Sequence, residues 1–537
     1  MSEETPKKNI YFNVDNILIT LLVFIRLAII VVLPFAIKAL NPIGEALKDF
    51  NLTDLVFSQL RDESKVPTNT NIVIVDVGDA RECDRGCIAT EIMAINRYKP
   101  KVLALDMFFR QEKKQNAELI AKDSLLEAAL NQSKNLVMAT QMIYNEETGA
   151  FTELRQSHPR FIKNAIPAFV NVITDEGKKK KGQISKRTVR TYTIKERIID
   201  TLYTFDTLKI SSKQEFINYE KLIKEKKLHP YTVLDSHFIL KPKISKIIDS
   251  IHYSFPYHIV RLYDKTKAEK ALARKKKRDI INYYGNVSIG QLKFQYIPRE
   301  ELLSVYETVT YYEQKIKAGI KLDENEQADY NNALEGAKNH ERIIKDKIVL
   351  MGIVPLIDIS DPKSLADVTY EDTYYTPLNP NYVGRSYPDM YGLMIHANVI
   401  AMMLDENYIN QSPLWLTVII AIVSTFLSVL LFTYLFNNHE TVYRLARKTI
   451  QFIMGISMLF ILVFVFHWFN YFLRLELTAA CILLSTSSMR MYYRTVKPIM
   501  EKIGIFKSKP KQEENSTQVD TKQNEQPVTN STENPST

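Results

Sequence analysis

NIVIVDVGDA, Asn71–Ala80, is a short apolar run that ends in acidic residues. Five of its first seven positions are branched aliphatics or apolar neighbours of them, with no polar alternation. That is the pattern of a strand covered on both faces, as in a parallel sheet. CIATEIMAINRY, Cys87–Tyr98, follows with helical spacing, and after Pro100 comes KVLALDMFF, Lys101–Phe109, a second apolar strand. Strand, helix and strand in that order form a βαβ unit, because two parallel neighbours need a crossover. LLEAALNQSKNLVMATQMI, Leu125–Ile143, repeats helix and strand, and IINYYG (Ile280–Gly285) and KIVLMGIV (Lys347–Val354) read as further strands. The fold class expected is therefore α/β, a mixed, largely parallel sheet flanked by helices, together with four transmembrane helices. Residues 299–345 read as two antiparallel helices turning at AGIKLDEN, while 145–275 mixes short strands with lysine-rich links and gives no order.

Outside this block the sequence is organised by apolar runs. Ile17–Leu40 is long enough for the roughly 20 residues that cross a bilayer, and exceeds the apolar core of a signal peptide. Leu414–Phe436, Thr449–Trp468 and a weaker run at about Leu477–Tyr493 follow the α/β block. Cations cluster at Arg444, Arg447 and Lys448, and again at Arg490, Arg494, Lys497 and Lys502, whereas the link between the last two runs holds only Arg474. The positive-inside bias then gives a cytoplasmic N-terminus (1–14), spans at 15–40, 413–436, 449–468 and 475–494, a cytoplasmic loop at 437–448, and a cytoplasmic end (495–537). Residues 41–412 fall outside the membrane. Trp415 and Trp468 lie at outer helix ends, where interfacial aromatics belong. The polar stretch from about Phe506 has the composition of a disordered tail.

The net charge of +9 suits membrane-flanking cations as well as nucleic acid, and with this topology the membrane reading is the one expected. The lysine runs at Lys178–Lys181 and Arg274–Arg278 read as solvated faces. Glycine is scarce, at 15 residues, and neither a P-loop nor a dinucleotide-binding glycine motif occurs. Cys83, Cys87 and Cys481 are the only cysteines; the first two are spaced so that a local disulfide can form in an oxidising compartment. No cofactor motif and no metal site is expected. His252 and His258 lack a third ligand, and no nucleophile elbow is seen.

Asp76, Asp79 and Asp106 fall at the ends of two strands expected to be parallel, the edge where open α/β sheets bind ligands. They are candidates for a cation or polar ligand; the plainer role is capping a helix or holding a loop. Asp358, Asp361 and Asp372 precede TYYTPLNPNY, Thr373–Tyr382, and can join that edge. Within YPDMYGLMIHANVIAMMLDENYI, Tyr387–Ile409, nearly every residue from Leu393 to Leu404 is apolar, so the helix is buried on more than one face. His396 and Asn398 are about 200° apart around it and serve different neighbours, with 373–382 the nearest irregular segment. His396 and Thr376 remain ligand candidates. Arg26, mid-way along the first run, needs a partner there; Glu476 is one candidate and another subunit is a second.

IVIVDVGD, INRYKPKVLALDMFF, DKIVLMG and YYTPLNPNYVGRSYPDMYGLMIHANVIAMML, in this order, resemble the type-two CHASE domain, an extracellular sensory domain associated with cyclases and histidine kinases. One apolar run before the blocks and three after them match the arrangement of that family. The wording TPLN, YPDMYG and HAN is similar to versions from Bacteroidota, which implies the inner membrane of a Gram-negative cell. The resemblance implies a sensor that passes an envelope signal through its membrane helices; with no catalytic motif read, an enzyme is not expected. Family members carry an output domain after the last helix; none is read here, so a separate protein partner is expected to carry the output. A homodimer is a further expectation, nucleic acid is not, and a non-catalytic envelope scaffold is the alternative function.

Overall fold

The computed structural model describes residues 13–36, 54, 56–61, 66–78, 83–113, 116–145, 149–174, 188–225, 227–228, 232–235, 237–288, 291–355, 372–379 and 388–504. Asp79, Asp358, Asp361, Lys178–Lys181 and the tail from Phe506 lie outside these residues. Two compact units result. One gathers Met1–Ile30, Ile420–Met454 and Thr478–Thr537; the other gathers Val31–Ile419 and Gly455–Leu477.

The larger unit is built on a ten-stranded sheet. Its strands in chain order are β1 (Asn69–Asp76), β2 (Val102–Leu105), β3 (Leu136–Asn145), β4 (Ala150–Arg155), β5 (Ala165–Phe169), β6 (Lys195–Lys209), β7 (Val233–Leu234), β8 (Phe238–Tyr253), β9 (Phe294–Ile297) and β10 (Ile348–Gly352). β9, β1, β10, β2, β3 and β5 are parallel neighbours in that spatial order. This is the expected parallel α/β core, with one difference. β10, last in the chain, is inserted between β1 and β2, so the first two strands of the sequence are not neighbours. From β3 the sheet turns antiparallel into β4, and β6 and β8 form a long antiparallel ribbon. That ribbon fills the stretch whose sequence gave no order.

Of the helices used here, α1 is Val14–Ala36, α2 Arg85–Arg97, α3 Ala117–Gln132, α4 Phe255–Tyr263, α5 Lys265–Ala273, α6 Arg299–Lys317, α7 Glu324–Ile344, α8 Gly392–Asp405, α9 Leu414–Asn438, α10 Glu440–Phe469 and α11 Glu476–Met491. α2, α3, α6 and α7 cover one sheet face, where Val73, Val75, Leu103, Leu105, Val349 and Met351 meet Ile92, Ile95, Leu126, Leu302 and Ile344. α8 packs against β1 and β10 and α4 against β2 and β3. Ile72, Ile74, Ala104 and Leu350 are buried as well, which accounts for the unbroken apolar runs of the parallel strands. α6 and α7 are the two expected helices, their turn closed by a capping box between Asp323 and Glu326.

Three local expectations are corrected. The IINYYG stretch is not a strand beyond Ile280: only Asp279–Ile280 pairs, with Thr191–Tyr192. The backbone that follows is bonded by a side chain, as described below. The segment expected as a loop at 437–448 is helical from Glu440, leaving His439 between α9 and α10; Arg444 pairs with Glu440 one turn earlier at 2.7 Å, which supports helix in that polar stretch. Of four expected spans, two described helices, α9 and α10, are long and apolar enough to cross a membrane. α11 has 16 residues and ends at a π-helical turn, short of the roughly 20 needed, whereas α1, at 23 residues, has the length and carries Asp15 and Arg26.

In the smaller unit, polar side chains link apolar helices. Asp15 accepts from the Tyr492 hydroxyl and the Lys497 ammonium, each at 2.7 Å. Asn16 meets Thr433 at 3.0 Å, Ser428 meets Ser485 at 3.1 Å, and Gln451 donates to the Ile482 carbonyl at 2.9 Å. Arg26 donates to the hydroxyls of Ser487 and Ser488, both at 2.9 Å. Small hydroxylic residues at helix contacts let backbones approach and supply the hydrogen bonds an apolar medium does not.

Candidate functional site

The C-terminal edge of the parallel strands is set by registry. Asp76 closes β1 opposite Gly352, Val77 donates to the Gly352 carbonyl at 3.1 Å, and Asp106 donates its amide to Met351 at 2.9 Å. Asp76 and Asp106 therefore flank the end of β10 from opposite sides. Two strand spacings, roughly 10 Å, separate their backbones, and each carboxylate has different neighbours. Gly352 keeps the gap narrow: a Cβ there would stand 2.9 Å from Leu393 Cδ2 and 3.5 Å from Asp106 Cβ. A side chain at this position would make the Leu393 side chain move aside.

Each aspartate has its own surroundings. Asp76 Oδ1 accepts from the amides of Gly78 (3.1 Å) and Val354 (2.8 Å), which tie down the loops leaving β1 and β10. Burial raises its carboxyl above the usual range, opposed by those amides. Tyr296 reaches the Val354 carbonyl at 3.3 Å, and Arg299 reaches the Val77 carbonyl at 3.2 Å. Asp106 is pushed up to about 8 by burial and by the neighbouring Asp372. Asp372 has a left-handed backbone, φ 60°. It accepts the first helical amide of α8, Gly392 N, at 3.0 Å, and Tyr374 donates to its carboxylate at 3.2 Å. The edge thus carries two acidic places, Asp76 with Tyr296 and Arg299, and Asp106 with Asp372 beside the start of α8. The second pair can share a proton or a cation, since like charges at short range do not both ionise freely.

The remaining candidates are spoken for by the fold. Thr376 gives its amide (2.7 Å) and its hydroxyl to the buried Asp389, which also accepts from Asn379 at 3.2 Å. This knot pins the TPLN turn against the residues that lead into α8. Asp389 is raised to about 7 by burial, the three bonds opposing. His396 packs edge-on to Phe255, ring centroids 5.5 Å apart, and burial holds its imidazole down at about 4 against a bond to Val170 backbone. Asn398 accepts from the amides of Tyr284 (2.6 Å) and Gly285 (3.1 Å) and donates to the carbonyls of Gly285 (2.9 Å) and Met394 (2.7 Å). The histidine and asparagine do serve different neighbours. The loop held by Asn398 is 281–286, where the sequence pointed to 373–382. Of the two transmission candidates beyond this unit's core, Arg26 is taken up by the serines named above, and Glu476 is the first residue of α11.

Sequence reasoning missed two features. One is Glu91, wholly buried in α2 beside the Cys83–Cys87 disulfide; an acid within an amphipathic helix looks like an ordinary exposed helix former until the fold is known. The other is a cavity of about 530 Å³ under the C-terminal end of α8. Its lining includes Arg61, Asn282, Tyr284, Asp405, Phe466 and His467. Tyr284 donates to Asp405 at 2.7 Å, and Asn470 to Asn407 at 2.7 Å. Next to it, Asn410–Gln411 pair in parallel with Tyr471–Phe472, and Arg474 donates to Gln411 at 2.7 Å.

No curated protein and no solved structure matches this chain. A family profile described as the CHASE2 domain matches residues 27–435. The match runs over well more than half of the sequence and takes in the whole parallel sheet, its acidic edge and α8, so the chain belongs to the CHASE2 sensory-domain family.

Proposed function

We propose that this protein is a membrane-anchored sensor whose α/β domain lies outside the cytoplasm and whose output is made by a separate protein. The observation that carries the reading is the junction at the end of α8. The buried helix continues through residues 406–413 into apolar α9, and within those residues Asn410–Gln411 are bonded to the segment that follows apolar α10. A shift of α8 on the sheet is therefore a shift of the connections to both apolar helices, the kind of bistable element a switch requires. The 530 Å³ cavity at the same place has a mixed lining, with Arg61, Asp405 and His467 beside Val56, Val463 and Phe466, and suits a small stimulus with both polar and apolar parts. Membrane topology follows the positive-inside pattern of the sequence, with α1 and α11 completing the bundle, and the cations on Arg444–Lys448 facing the partner in the cytoplasm.

A cysteine pair at Asn410 and Tyr471 tests this. Locking the junction by oxidation should fix the output in one state, and photo-crosslinking from Arg444 or Lys448 should recover a cyclase or kinase. Unchanged signalling in the locked protein would defeat the proposal. The scaffold reading has one observation of its own: the β6–β8 ribbon presents Ile244, Ile247 and Ile251 to solvent, each more than half exposed. Recovery of a constitutive envelope assembly that is lost when the ribbon isoleucines are replaced would favour the scaffold.

A further inference from the structure

We propose that Cys83, Cys87 and Glu91 form a reducible metal site, closed by the disulfide and opened by thiol reductants to take a thiophilic divalent cation of the zinc class. The chemistry of the donors and their placement carry the proposal. Cys87 and Glu91 are one turn apart on α2 and share a face, and Cys83 sits just ahead of the Asp84 cap, which accepts from the Gly86 and Cys87 amides at 2.9 and 3.1 Å. One donor atom from each of the three residues lies within 4.8 Å of the other two. Glu91 Oε1 is 3.6 Å from Cys83 Sγ and 3.9 Å from Cys87 Sγ.

Glu91 is the independent sign that something belongs there. Its side chain is 0% exposed, and its Oε2 has no hydrogen-bond partner. A disulfide offers it no proton. Leaving a buried carboxyl oxygen unmatched costs about 1–3 kcal/mol, and among the described residues none hydrogen-bonds to it in the oxidised state. With the disulfide opened, the same oxygen faces two thiols. Two sulfurs and one oxygen are a mixed donor set that zinc accepts, with a fourth position left for water. Across tetrahedral zinc with bonds of about 2.3 Å the sulfurs stand roughly 3.7 Å apart, a displacement that rotation of two cysteine side chains at a helix start can supply.

The steps balance. A dithiol reductant passes two electrons and two protons to the disulfide, giving Cys83 and Cys87 thiols and leaving the reductant as its own disulfide. The cation then replaces two thiol protons and the carboxyl proton, releasing three protons and forming a complex of net charge −1. Position at the start of α2 favours the thiolates, since helix N-termini lower thiol pKa values. Glu91 interacts electrostatically with Asp76 and Arg299, so a cation here is felt at the acidic sheet edge.

The test uses the full chain in detergent with Cys481→Ser, which leaves only the two cysteines in question. After phosphine reduction and anaerobic removal of the phosphine, titration with Co(II) should give one equivalent of binding, a thiolate-to-cobalt band in the near ultraviolet, and displacement by Zn(II). The oxidised protein should give no band. Glu91→Gln should keep the band but weaken binding by about tenfold or more, and either Cys83→Ser or Cys87→Ser should abolish the two-thiolate spectrum, with circular dichroism confirming the fold. In the reduced parent, Zn(II) should also slow alkylation of both thiols. Absence of the band in the reduced parent, binding by the oxidised form, or Co(II) affinity unchanged in Glu91→Gln would overturn the assignment.

Discussion

α8 and α9 are both apolar helices and are opposite in what covers them. In α8 every residue from Gly392 to Leu404 is buried by protein. In α9, Leu414, Trp415 and Leu427 are 68%, 64% and 58% exposed. Their polar residues separate them further. Asn398 of α8 reaches backbone more than a hundred residues away, at Tyr284 and Gly285. In α9, Thr425 bonds back to its own helix at Ala421, and Ser428 meets the Ser485 hydroxyl of another helix. α8 is thus tied by its asparagine to the backbone of a loop, whereas the polar groups of α9 meet its own helix or side chains of other apolar helices, Ser485 and Asn16. Hydropathy alone does not distinguish the two; the destination of the hydrogen bonds does.

The sharpest way to break the comparison is at Asn398. Asn398→Leu keeps the branching of the side chain and removes four hydrogen bonds, orphaning two buried amides and a carbonyl. The expected loss is about 4 kcal/mol, read as a fall in the denaturation midpoint of the full chain in detergent. A loss below about 1 kcal/mol would show that the 281–286 loop finds other partners. Next in size is Ile400→Ala. Ile400 is wholly buried in α8, and truncation of such a side chain costs about 2–5 kcal/mol.

Much of this architecture was legible because its causes are local. Branched aliphatic runs marked β1, β2, β3 and β10, and the AGIKLDEN stretch marked the turn between α6 and α7. What was illegible depends on distant partners. Nothing in KIVLMGIV says that it inserts between β1 and β2, and that insertion is what splits Asp76 from Asp106. IINYYG has strand composition, yet the amides of Tyr284 and Gly285 are bonded by Asn398, so no neighbouring strand takes them. Thr376 looked like a ligand donor because nothing in sequence announces that Asp389 takes both its amide and its hydroxyl. Asp372 was placed at the correct edge by its position before TPLN, whereas Glu91 was hidden among the ordinary residues of an amphipathic helix.

A third effect distinguishes the buried helix by pH. Burial holds His396 down at about 4, against roughly 6.5 in an unfolded chain. The unfolded state therefore binds the extra proton first as pH falls. The stability this histidine contributes is complete above about pH 6.5 and is lost progressively towards pH 4, at most about 3 kcal/mol. Asp389 works the other way: raised to about 7, it contributes most below about pH 3.9 and loses that contribution as pH rises through 7. The difference between the parent and His396→Gln isolates the histidine, because Asp389 is common to both. The stability gap between them should narrow as pH falls from 6.5 to 4.5; a constant gap would mean that His396 titrates normally.

The smallest effect is the control on which the comparison rests. Leu427 lies in α9 and is 58% exposed, so Leu427→Ala removes atoms that meet few protein neighbours. In detergent the expected change is under about 0.5 kcal/mol, several-fold less than for Ile400→Ala in α8, although both substitutions delete a branched aliphatic from an apolar helix. The same exposure makes a second measurement informative. Leu427→Lys places a charge where protein does not cover it. In an aqueous setting that is harmless, but at the centre of a bilayer it costs about 2.5–3.5 kcal/mol on insertion scales. If α9 spans a membrane as proposed, Leu427→Lys should lower the membrane-integrated fraction while Leu427→Ala leaves it unchanged. Equal integration of the two variants would place α9 outside lipid and leave its exposed apolar surface to be covered by another protein.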